Sequence, residues 1–254
     1  MTAVRATIAR HPIAAYVLVA FAFTWALLPL VAVSVAFGLL ALFGPALGAF
    51  VVSRADGTWP ELKARITDWR HPLTTYAIAF GLPFAVAAVA LVIYVLTGGA
   101  APGLGTISAI EVVIFVLVIG EEIGWRGFLQ PRLRERMDLV AAGLATGVVW
   151  TLWHAPMYLV AGGPGLAAFA VFAWWVIPLA VVMGAVAERS RSSVIVATVL
   201  HGAANIATPI LLPGVDRTWI LIVTGAIYAV IAVGIAVRAS HTEREPVVGI
   251  VPAL

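Results

Sequence analysis

Cysteine is absent from this 254-residue chain, and charged residues are scarce, at 11% of the total. The first absence excludes disulfides, Cys-ligated zinc, iron–sulfur clusters and thiol nucleophiles. The second lies far below the roughly 25% usual in a soluble domain. Lysine is nearly missing as well, since arginine supplies all but one of the 15 basic residues, Lys63 being the exception. No Gly-x-Ser-x-Gly elbow and no His-Glu-x-x-His helix occurs, so serine-triad and zincin mechanisms lack support. What fills the chain is apolar: 63% hydrophobic residues and a mean hydropathy of +1.07. Runs of about 20 apolar residues recur along the whole length, the pattern of a polytopic membrane protein. A pI near 9.7 superficially suggests nucleic acid. Membrane topology accounts for the basic residues better, and no nucleic-acid partner is expected. Arg5 and Arg10 precede an apolar run in the manner of a signal peptide. No small-residue cleavage site and polar mature domain follow, so the run reads as a retained first span.

Hydropathy and turn chemistry predict an all-α, polytopic membrane helical bundle of about eight transmembrane helices with interfacial amphipathic helices. The spans fall near 11–33, 36–53, 73–97, 107–125, 138–160, 167–187, 192–212 and 218–238. Breaks such as Thr97-Gly98-Gly99-Ala100-Ala101-Pro102-Gly103 and Pro213-Gly214-Val215-Asp216 separate them. One domain covers 1–240, and 241–254 reads as a mobile cytoplasmic tail. Basic residues test this layout. They gather at the N-terminus, in the second-to-third, fourth-to-fifth and sixth-to-seventh connections and in the tail, leaving only Arg217 on the opposite side. Such asymmetry implies an even number of spans in the cell membrane with both termini cytoplasmic.

Two of the basic connections read as interfacial helices on the lipid bilayer. Thr58-Trp59-Pro60-Glu61 has the form of a capping box, with Trp59, Leu62, Ile66 and Trp69 following at helical spacing. Phe128, Leu129, Leu133 and Met137 alternate with Arg132, Arg134 and Arg136 in the second. Plain membrane anchoring explains both.

Ionisable groups inside the spans are few. Glu121 and Glu122 end the fourth, His154 lies in the fifth, and His201 with Asn205 in the seventh. A charged carboxylate at the centre of a bilayer costs roughly 2.5–3.5 kcal/mol on insertion scales, so it requires a partner or a wet cavity. Adjacent helical residues point about 100° apart. Glu122 is therefore expected to pair with Arg126 at i, i+4, and Glu121 to face a cavity. The bland alternative is two acids hydrated near the cytoplasm. Glu111 is expected near the outer interface. Trp150 and His154 share one helix face, as do His201 and Asn205, and interhelical hydrogen bonding alone would explain each pair. The span boundaries put His154 several ångströms deeper than Glu121. Gly143-x-x-x-Gly147 could pack helices within one chain or between two.

Taken together, a carboxylate, two imidazoles and a carboxamide from separate helices are the parts for hydrolysis. The carboxylate takes a proton from water, a histidine orients that water or protonates the leaving amine, and His/Asn donors hold an oxyanion. Glu121-Glu122-x-x-x-Arg126, Trp150-x-x-x-His154 and His201-x-x-x-Asn205, in that order, resemble the CPBP family of CAAX proteases and bacteriocin-processing enzymes, also called the Abi family. Gly44-Pro45-Ala46-Leu47-Gly48 in the second span resembles that family too. The resemblance implies an intramembrane endopeptidase acting on a membrane-associated peptide or protein, lipidated or CAAX-like ones included. Carried over, Glu121 is the base with His154 beside it, His201 and Asn205 stabilise the oxyanion, and Glu122, Arg126 and Trp150 give structural support. The family's second motif commonly begins with Phe, where Trp150 stands here. A metal-free mechanism without cofactor is preferred. Zinc held by Glu121, His154 and His201 is the alternative. Two other classes stay open: a proton-coupled transporter, and a non-catalytic immunity or scaffold protein on the same fold.

Overall fold

The computed structural model describes residues 3–160 and 162–242, which form helices and their connections with no strand among them. The expected tail, 241–254, lies from residue 243 onward outside the described residues. Helix α1 (Ala3–Arg10) turns at His11 into α2 (Pro12–Leu27), which a 3₁₀ turn extends to Ala32. Helices α3 (Val35–Ala41), α4 (Gly44–Asp56), α5 (Trp59–Thr67) and α6 (Leu73–Leu96) follow. Then come α7 (Ala109–Leu117), α8 (Ile119–Gly124), a π turn over Trp125–Leu129, and α9 (Gln130–Arg134). The rest is α10 (Leu139–Trp153), α11 (Ala155–Leu159), α12 (Gly165–Arg189), α13 (Val194–Leu211) and α14 (Arg217–Thr242).

Among the described residues six helical stretches are long and apolar enough to cross a membrane, including Pro12–Ala32, Leu73–Leu96 and Gly165–Arg189. The 24 residues of α6 rise about 36 Å, more than the ~30 Å of hydrocarbon. The fourth and fifth expected spans differ from the uninterrupted helices that hydropathy suggests. In the fourth, the Val118 carbonyl accepts from both Glu121 N and Glu122 N, a tightened turn that separates α7 from α8. In the fifth, α10 stops at Trp153 and α11 begins at Ala155, with His154 between them. Pro156 causes that break, because it has no N–H for the Leu152 carbonyl and its ring crowds the preceding turn.

Small residues let these helices approach. Gly44 and Gly48 of α4 lie against Ala20 and Tyr16 of α2, with a Cβ on Gly48 only 2.8 Å from the Tyr16 carbonyl. A Cβ on Gly120 would come 2.9 Å from the Leu42 carbonyl, and Gly124 lies against Pro45. Helix α8 is thereby seated on the start of α4, with α13 on its other side. Gly202 of α13 is filled by the Phe115 ring. Gly143 and Gly147 receive Val181 and Ile177 of α12, so this glycine pair packs helices within the chain.

The basic connections meet on one face. Arg132 pairs with Asp56 at 2.7 Å, Arg134 with Glu188 at 2.9 Å and Arg191 with Asp68 at 3.1 Å. The capping box expected at Thr58 is not formed. Its hydroxyl instead donates to Asp56 at 2.7 Å and accepts from Arg132 at 2.6 Å, a charge-assisted bond that outcompetes a helix cap. A capping box does form at Ser108 and Glu111, which accounts for Glu111. The second expected surface helix also differs: Phe128 and Leu129 are fully buried and only Met137 is exposed. Tyr16 stacks on Phe128 at 4.8 Å, and the Arg132 guanidinium lies 3.6 Å over the Phe128 ring. The segment is core on one side and an ion-pair platform on the other.

Candidate active site

The acid-bearing helix acquires an extra residue directly after the glutamates. Gln130 N bonds to the Trp125 carbonyl five residues back, which closes the π turn. Such bulges occur mostly inside α-helices and often at functional sites. Pro131 adds a second irregularity, since it has no N–H for the Gly127 carbonyl. Arg65 of α5 reaches in and donates to that oxygen at 2.9 Å.

Glu121 is 3% exposed. Its Oε2 accepts from Trp150 Nε1 at 2.8 Å and, more loosely, from Trp125 Nε1 at 3.4 Å. Glu122 and Arg126 are both completely buried, and Arg126 Nη1 donates to the two carboxylate oxygens at 2.9 and 3.1 Å. The expected i, i+4 pair is therefore formed. Glu122 has a second partner that the sequence did not suggest. His201 Nδ1 stands 2.8 Å from Glu122 Oε1, so α13 and α8 are joined through one carboxylate. A carboxylate oxygen accepts, which makes His201 Nδ1 the protonated nitrogen and leaves Nε2 for another partner.

Trp150 organises the cluster. Its indole donates to Glu121, its ring lies 4.7 Å beneath the Arg126 guanidinium, and its face meets the His201 ring edge-on at 4.9 Å. Its carbonyl accepts from His154 Nδ1 at 3.0 Å, which again leaves an imidazole Nε2 free of the backbone. His154 sits one turn beyond Trp150, between Trp153 and Phe172 at 4.7 Å each. Asn205 lies one turn beyond His201 and is half-buried. Among the described residues none hydrogen-bonds its side chain.

Glu121, Glu122, Arg126, Trp150 and His201 thus form one contiguous network, with His154 attached through Trp150 and Asn205 beside His201 on α13. Glu121 is clasped between two indoles through Oε2. Two residues escaped notice in the sequence. Trp125 is i+4 from Glu121, a spacing that could have found it. Tyr16 has a fully buried hydroxyl with no hydrogen-bond partner among the described residues, packed against Gly124; nothing in its span singled it out. Among the described residues no three His, Asp or Glu side chains are grouped so as to hold one metal ion.

Residues 103–207 match the family model described as "Type II CAAX prenyl endopeptidase Rce1-like". That stretch holds every one of the seven site residues. The matched stretch is similar to the CPBP family. The CPBP match extends to a curated relative, "CAAX prenyl protease 2" of Methanococcus maripaludis, which is 27% identical over 130 residues. The aligned stretch is 47% of this chain and 47% of the relative, so the chain spans about half the length of the curated relative it matches.

Proposed function

We propose that this protein is an intramembrane endopeptidase that hydrolyses a peptide bond of a membrane-associated peptide or protein. The observation that carries this reading is the Glu121–Trp150–His154 and Glu122–His201 network, drawn from three helices and lying within the CPBP match. In this scheme Glu121 takes a proton from water while His154 Nε2 accepts the water's second hydrogen bond. The water oxygen attacks the scissile carbonyl carbon. In the same scheme His201 carries a proton on each ring nitrogen, Nδ1–H donating to Glu122 and Nε2–H to the resulting oxyanion, and the Asn205 amide donates beside it. Glu121 then returns its proton to the leaving nitrogen as the C–N bond breaks.

These steps are proposed to run on the side chains alone, with zinc on Glu121, His154 and His201 as the alternative. Cleavage by the purified protein is expected to persist in a chelator. Stoichiometric zinc lost together with activity would replace this scheme with a metal-assisted one.

The relative's name extends the substrate reading to CAAX-like C-termini, and partition alone favours a lipid or hydrophobic segment near the cleavage point. Clustering of the basic connections on one face supports a cytoplasmic placement of that face and of both termini in the cell membrane. The test compares membrane-protein termini in cells lacking the gene, complemented with wild type or Glu121→Gln. Precursors are expected to accumulate in the deletion and the variant alike. Full complementation by Glu121→Gln would return the choice to a scaffold or transporter, and a liposome flux assay separates those two.

A further inference from the structure

A cavity of about 220 Å³ lies at the elbow between α1 and α2, outside the catalytic network. It is lined by Arg10, His11, Ile13, Arg132, Glu135 and Arg136. Arg132 is already matched by Asp56. Among the described residues no carboxylate pairs with Arg10 or Arg136, and both are exposed. Pro12 opens an apolar helix of 21 residues, so the cavity sits where that helix leaves the hydrocarbon, at the depth of lipid phosphates. It also lies on the face where the basic connections gather.

The volume is smaller than the roughly 300–1,000 Å³ of a pocket for a drug-sized ligand. It admits a polar headgroup and excludes acyl chains. Guanidinium forks fit phosphate oxygens. Glu135 supplies an acceptor on the same wall, which calls for a donor group on the ligand beyond its phosphate. We propose that this cavity binds the headgroup of a bilayer glycerophospholipid, with the phosphate on Arg10 and Arg136 and a headgroup amine or hydroxyl donating to Glu135.

The test uses the full chain in nanodiscs of equal phosphatidylethanolamine, phosphatidylglycerol and phosphatidylcholine, with native mass spectra reading the lipid retained. The first two lipids are expected to be retained over phosphatidylcholine, which has no headgroup donor. Arg10→Gln with Arg136→Gln should lower that retention about tenfold or more. Lys63→Gln with Arg70→Gln, which removes equal charge from α5 and the connection after it, should leave it unchanged. Thermal melting reports folding of each variant, and Arg136→Gln alone serves if the double variant does not fold. Equal retention of phosphatidylcholine, an equal loss in the α5 variant, or displacement by millimolar inorganic phosphate would each overturn the proposal.

Discussion

Trp150 Nε1 donates to Glu121 Oε2 at 2.8 Å, joining α10 to α8 at the carboxylate proposed as the base. The family's motif commonly has Phe at this position. Trp150→Phe keeps a ring beneath Arg126 and against His201 but removes the N–H. Hydrogen bonds to charged groups are worth about 1.5–3 kcal/mol. Single-turnover cleavage is therefore expected to slow tenfold or more, with melting temperature lowered by a few degrees and the protein still folded at the assay temperature. An unaltered rate would show that the loose Trp125 contact is enough to hold Glu121.

The two glutamates should separate by readout. Glu121→Gln is expected to abolish cleavage while the protein stays folded, since Trp150 can still donate to the amide oxygen. Glu122→Gln strips the buried Arg126 of its carboxylate partner, and breaking a buried pair costs about 3–5 kcal/mol. Thermal denaturation in detergent, run beside the cleavage assay, distinguishes lost chemistry from lost structure.

Gly120→Ala places a methyl group 2.9 Å from the Leu42 carbonyl, a backbone atom that cannot swing aside. A loss of about 1–3 kcal/mol is expected. Helix α8 must shift to relieve the contact, so cleavage should fall as well. Gly81→Ala, where a Cβ meets nothing within 4 Å, is the matching control and should leave both unchanged.

The ion pairs on the charged face should rank by burial. Arg191 is 72% exposed, and Arg191→Gln is expected to cost less than about 1 kcal/mol. Asp56 accepts from Thr58 N, from the Thr58 hydroxyl and from Arg132 in a largely buried setting. Asp56→Ala should cost clearly more and retain more of its effect in high salt. Urea or thermal denaturation at two ionic strengths checks both.

The sequence showed where ionisable groups interrupt apolar helices, and that located Glu121, Glu122, His154 and His201 but not Trp125. The i, i+4 rule found Glu122 with Arg126 because both lie on one helix. It could not find His201 on Glu122, since that contact depends on how closely α13 approaches α8. Hydropathy found the long helices and overlooked the breaks at Val118 and His154, because each falls inside a stretch whose average is still apolar. Pro131 and Pro156 were visible as letters, yet only the backbone shows which carbonyls they leave unmatched. Phe128 and Leu129 illustrate the reverse error. Their alternation with arginines suits a surface helix, but the aromatic ring of Tyr16 and the Asp56–Arg132 pair draw the segment inward.

Arg65 and Gly127 make the surface helix and the acid-bearing helix a mechanical unit. The Gly127 carbonyl has lost its usual helical donor to Pro131 and takes one from a different helix, under two turns from Glu121. A bilayer that lifts or tilts α5 must stretch that bond, and the strain arrives at the π turn beside the glutamates. One side-chain hydrogen bond thus ties the position of α5 to the π turn that follows Glu121 and Glu122.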